Sequence, residues 1–76
     1  MNEVPLESST IEVVGYDDID MTLQVGFRNG AVYQYHDVPQ SVYRDFMAAA
    51  SWDEFLRANI MNHYRCERLP KRRGGS

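Results

Sequence analysis

His63 and Cys66 have two residues between them, the spacing of half a zinc site, and His36 is the chain's other imidazole. A structural zinc site needs four nitrogen or sulfur ligands, and the cysteine needed to extend this pair is missing, since Cys66 stands alone. Asp17, Asp18 and Asp20 would suit a hard cation, but a calcium loop takes glycine at its sixth position and a bidentate glutamate at its twelfth. Counted from Asp18, those positions hold Leu23 and Asn29, so the acidic run reads as a solvated turn. Gly26 and Gly30 fall within a hairpin pattern, whereas a phosphate-binding loop joins a strand to a helix. No nucleophile comes with a base and an oxyanion donor. The expectation is a protein that is not an enzyme and has no cofactor, metal or small-molecule substrate.

What remains is the chemistry of contact. Tyr33 and Tyr35 flank Gln34, and five cations (Arg65, Arg68, Lys71, Arg72 and Arg73) crowd residues 65–76. Cations meet phosphates and exposed aromatic rings stack bases, so these residues are candidate contacts for RNA. Trp52 is a candidate contact for a partner protein, or equally a core anchor.

The elements that position these residues follow from periodicity. Residues 1–8 are polar, contain Pro5, and read as a loose lead-in. Residues 10–16, rich in Ile11, Val13 and Val14, form a first strand. Residues 21–28 alternate, with Met21, Leu23, Val25 and Phe27 on one face. Asn29-Gly30 marks a turn into a third strand over 31–36.

Two hairpin registers compete. A two-residue Asn29-Gly30 loop pairs Val25 with Gln34 and turns Tyr33 and Tyr35 away from the apolar row. A three-residue Arg28-Asn29-Gly30 loop with a left-handed Gly30 pairs Phe27 with Ala31, Val25 with Tyr33 and Leu23 with Tyr35. The second collects every large residue on one face and leaves Thr22, Gln24, Gly26, Val32, Gln34 and His36 on the other, so consistency of pattern favours it. Tyr33 and Tyr35 then offer mainly their hydroxyl tips to a partner.

Pro39 suits a helix start, and Val42, Tyr43, Phe46 and Met47 make an apolar stripe over 39–49. Ser51 with Glu54 is a capping-box pair that opens a second helix, carried by Leu56, Ile60 and Tyr64 over 51–64. The fold class is therefore α+β: a three-stranded antiparallel meander followed by two helices packed on one of its faces.

Seventy-six residues with one cysteine allow a single small core and no internal disulfide, which points to a reducing, cytoplasmic setting without membrane attachment. The formal net charge of −3 is uneven. Residues 1–64 hold three Lys or Arg against ten Asp or Glu, whereas residues 65–76 hold five against one and end in Gly74-Gly75-Ser76. The latter segment reads as a flexible basic tail.

The pattern Ser8-Ser9, Gly15-Tyr16-Asp17, Phe27, Gly30, Tyr33-Gln34-Tyr35, Val38-Pro39, Val42-Tyr43, Ser51 and Ile60 to Tyr64 resembles the KTSC domain, named for its occurrence at the C-terminus of some lysyl-tRNA synthetases. The domain proper is expected over residues 9–64. The resemblance implies a small domain of bacterial or phage proteins, with RNA binding suggested and no catalytic residues. The chain departs from the family pattern at Asp53, Phe55-Leu56-Arg57 and Met61. Two functions follow as expectations: a weak RNA-binding module acting through the basic segment and the tyrosine rim, or a protein-interaction module docking through Trp52 or an exposed strand edge.

Overall fold

A computed structural model describes residues 2–69. Five strands, β1 (Asn2–Pro5), β2 (Ile11–Asp17), β3 (Thr22–Phe27), β4 (Val32–Tyr35) and β5 (Cys66–Leu69), form one antiparallel sheet in chain order. Helix α1 (Gln40–Ala48) and helix α2 (Trp52–Phe55), which continues as a wider helical turn over Leu56–Ile60, lie between β4 and β5. The expected meander and both helices are present, but the sheet has five strands and not three.

The two added strands correct the reading of both ends. In the expected lead-in, Val4 pairs with Val14 and Leu6 is buried. In the expected tail, Tyr35 pairs with Cys66 and Tyr33 with Arg68. Backbone groups at the margins of a three-stranded sheet would otherwise stay unpaired. Lys71, Arg72 and Arg73 lie outside the described residues.

The hairpin takes the bulged register. Leu23 faces Tyr35 and Val25 faces Tyr33, Phe27 N–H donates to the Ala31 carbonyl at 2.8 Å, and Gly30, at φ 95°, donates back to Phe27 at 2.9 Å. Only glycine holds that left-handed turn without a Cβ penalty. Met21 does not join the apolar row; it sits in the preceding turn at φ 54° and is exposed. The Asp17 carboxylate fixes this turn by accepting from the N–H groups of Ile19 and Asp20 at 3.0 and 3.2 Å.

Side chains of the helix-covered face run in cross-strand rows. Val4, Val14, Val25, Tyr33 and Arg68 make one, and Tyr16, Leu23, Tyr35 and Cys66 another. Phe46, Leu56, Ile60 and Val38 close over these rows, and all four are buried. Ser51 caps α2 as its pairing with Glu54 predicts, accepting from Glu54 N–H at 3.3 Å. The second helix stops at Ile60 rather than Tyr64. Met61 turns extended while its N–H closes a five-residue ring to Leu56 at 2.7 Å, and Asn62 enters left-handed backbone at φ 69°. Asparagine tolerates that region better than most residues. The reversal returns the chain to β4 as β5.

No helix among the described residues is long and apolar enough to cross a membrane.

Candidate functional site

The residues that carry the sequence pattern mostly hold the fold together. Tyr16 donates its hydroxyl to the Val38 carbonyl at 2.6 Å and stacks on Tyr43, with ring centroids 4.6 Å apart and planes within 8°. Val38, wholly buried, is anchored again through its N–H to the Met21 carbonyl at 2.8 Å. One aromatic pair thus ties β2, the β4–α1 connection and α1 together. Ser8 works likewise at the other end: its hydroxyl donates to Asp53 at 3.0 Å and accepts from the N–H groups of Thr10 and Ile11 at 3.1 and 3.2 Å. This fastens the β1–β2 loop to α2.

The two tyrosines of the triplet divide between core and rim. Tyr35 is 2% exposed. Burial, followed by the neighbouring Cys66 and Tyr33, holds its phenol well above its ordinary pKa of 10.0, so it stays neutral and structural. Tyr33, nearer the hairpin turn, is half-buried. Phe27 meets it edge-on at 5.6 Å, and the Arg68 guanidinium lies 5.8 Å from its ring centroid. That separation is within cation–π range.

Arg65 and Arg68 are both exposed but lie on opposite sides of the sheet. Arg68 pairs with Tyr33 and shares its face, whereas Arg65 lies beside His36 on the face without helices. One strand therefore separates two cations that sequence alone had grouped. Trp52 is half-buried, packs against the core, and its indole N–H reaches the Met47 carbonyl at 3.4 Å.

The helix-free face is the polar face that the bulged register gave to Thr22, Gln24, Gly26, Val32, Gln34 and His36, and the sequence assigned it no contact. Its central row is Gln24 and Gln34, joined by a side-chain bond of 3.1 Å, followed by Glu67. Glu67 also pairs with His36 at 3.2 Å. A shallow depression of about 470 Å³ lies to one side, floored by Val13, Gly26, Val32 and Leu69 and bordered by Glu3 and Glu12. Gly26 leaves no room for a side chain there, since a Cβ would stand 2.9 Å from Val13 Cγ1. On the other side Asp17, Asp20 and Asp37 gather near His36 and Arg65. Among the described residues no three His, Cys, Asp or Glu side chains are grouped to hold a metal ion.

The KTSC domain model matches residues 7–64, the span over which the motif residues have just been placed. The chain belongs to the KTSC domain family. A crystal structure of a KTSC domain protein from Yersinia pestis superposes with a TM-score of 0.87 at 32% identity, covering 91% of this chain and 97% of that one. A protein of Tsukamurella paurometabola is 38% identical over 65 residues, 86% of this chain and 97% of its own length. An uncharacterized protein of Stutzerimonas stutzeri is 36% identical over 70 residues, 91% and 99% of the two chains. The five-stranded KTSC fold thus extends past the matched span at both ends, through β1 and β5.

Proposed function

We propose that this KTSC protein is a noncatalytic binding module that contacts single-stranded RNA along the helix side of the β4–β5 margin. The observation that carries the reading is the stacked pair of Tyr33 and Arg68. It sets a half-buried ring beside an exposed guanidinium, a combination in which a base can stack on the ring while its phosphate is met by the cation. The sequence continues from β5 into Lys71, Arg72 and Arg73, which would extend the cationic track. Arg65, on the opposite face, is not part of this site.

The binding is weak and nonspecific. Acidic side chains outnumber basic ones in the chain by eleven to eight, and the electrostatic attraction is limited to Arg68 and the three cations after it. With four cations engaged, the logarithm of affinity falls with the logarithm of salt at a slope no steeper than about −3.

Fluorescence anisotropy of a labelled single-stranded RNA tests this. The signal is expected to rise with protein at low salt, and to weaken in Arg68→Ala, in Tyr33→Ala and on removal of residues 70–76. No anisotropy change at about 20 mM salt, where the phosphate term is strongest, would sink the reading. The other function weighed from the sequence, docking of a protein chain, draws on a separate feature: the outer edge of β5.

A further inference from the structure

Among the described residues β5 is the last strand of the sheet, and no strand among them pairs with the backbone groups of its outer side. His36 N–H donates to the Arg65 carbonyl at 2.8 Å, making these two a hydrogen-bonded pair. Antiparallel alternation then directs the backbone groups of Arg65, Glu67 and Leu69 towards β4, and those of Cys66 and Arg68 outward. Side chains alternate as well. Glu67 shares the helix-free face with Gln34, while Cys66 and Arg68 share the helix side with Tyr35 and Tyr33.

We infer that the outer edge of β5 pairs antiparallel with the same edge of a second copy of this chain, about a two-fold axis passing through Cys66. An isologous edge contact must join outward-facing residues and keep like faces of the two sheets together. Within β5 this leaves axes at Cys66, Glu67 or Arg68. An axis at Glu67 sets that carboxylate opposite the partner's Glu67, and one at Arg68 sets two guanidinium groups against each other. Like charges directly opposite are destabilising.

The axis at Cys66 does the reverse. It places Arg65 opposite the partner's Glu67, and Glu67 opposite the partner's Arg65, at non-hydrogen-bonded positions where facing side chains come closest. Glu67, whose side chain is 66% exposed and meets the His36 ring nitrogen at 3.2 Å, presents its carboxylate to a cation across the axis. The β1 edge is less suited, because Pro5 has no N–H to donate. The contact leaves Tyr33 and the Arg68 guanidinium on the helix side, so it does not rest on the RNA reading.

A strand of four residues buries less surface than the roughly 1,200 Å² at which stable interfaces begin, and the dimer is accordingly weak and dependent on concentration. Analytical ultracentrifugation of the full chain up to about 1 mM, a range that reveals millimolar association, is the test. Arg65→Glu and Glu67→Arg are compared with the double reversal, circular dichroism confirming the fold of each. The native chain is expected to dimerise, each single variant to lose at least about tenfold in association, and the double reversal to recover it. A short bis-maleimide should join Cys66 to its symmetry mate in the native chain, because hydrogen-bonded antiparallel partners have Cα atoms about 5.5 Å apart. A monomer throughout the range, single variants that dimerise like the native chain, a double reversal that fails to recover, or a dimer that resists the cross-link would each overturn the inference.

Discussion

Tyr16, Val38, Tyr43 and Tyr35 show why a pattern rich in aromatic residues need not mark a binding surface. Tyr43 stacks its ring on Tyr16, the Tyr16 hydroxyl is spent on the Val38 carbonyl, and the Tyr35 hydroxyl lies beside Cys66. Tyr35 therefore couples stability to pH. Its folded pKa is raised, first by burial, while in the unfolded chain it ionises near 10.0. Above that pH the unfolded state releases a proton that the folded state keeps, so stability is complete below pH 10 and declines as pH rises. One such group contributes a slope of about 1.4 kcal/mol per pH unit. Urea unfolding between pH 7 and 11 should show the decline, and Tyr35→Phe should reduce its slope by about that amount while costing at most about 1 kcal/mol at pH 7. Tyr16, raised by burial and then by Asp18 and Asp17, leaves a residual slope in that variant. An unchanged slope would mean that Tyr35 is not held neutral by its site.

At the scale of elements, β5 joins the fold to the proposed contact. It pairs with β4 from Cys66 to Leu69 and brings Arg68 onto Tyr33. Two truncations should therefore differ sharply. Ending the chain after residue 69 should leave thermal unfolding nearly unchanged and weaken RNA binding. Ending it after residue 64 should expose the β4 margin and lower the melting temperature by more than about 10 °C, as losing a few kcal/mol does in a domain of this size. Equal melting temperatures would show β5 to be dispensable.

The same strand marks the limit of what the sequence reveals. β3, β4 and their bulged register were legible because alternation over Leu23, Val25 and Phe27 and a glycine at position 30 agreed with each other. Ser51 announced α2 through Glu54. Cys66-Glu67-Arg68-Leu69 has one aliphatic residue and three cations just beyond it, so its composition resembled a tail; only the need to pair the β4 margin makes it a strand. β1 left a fainter trace in the alternation of Val4 and Leu6, masked by Pro5 and the polar residues around it. The end of α2 was overestimated because Ile60 and Tyr64 continue a helical spacing that Asn62 interrupts. The site suffered in proportion: Arg65 and Arg68 could be assigned to opposite faces only once the strand between them was known.

For the whole molecule, the helices cover one face of the sheet and leave Gln24, Gln34 and Glu67 in a polar row on the other. That open face carries no aromatic side chain in this row and is bordered by Glu3 and Glu12 at one end and by Asp17, Asp20 and Asp37 at the other. An anionic polymer has little reason to settle there. In the proposed reading RNA meets the helix side of the margin, where Arg68 lies over Tyr33, and the excess of acidic side chains is expected to keep its affinity low. An NMR titration of the isotopically labelled chain with a short single-stranded RNA at low salt tests this division directly. Chemical-shift changes are expected at Tyr33, Arg68 and the residues after Leu69, with Gln24 and Gln34 side-chain amides undisturbed. Changes centred on Gln24 and Gln34, or none anywhere at saturating RNA, would contradict it.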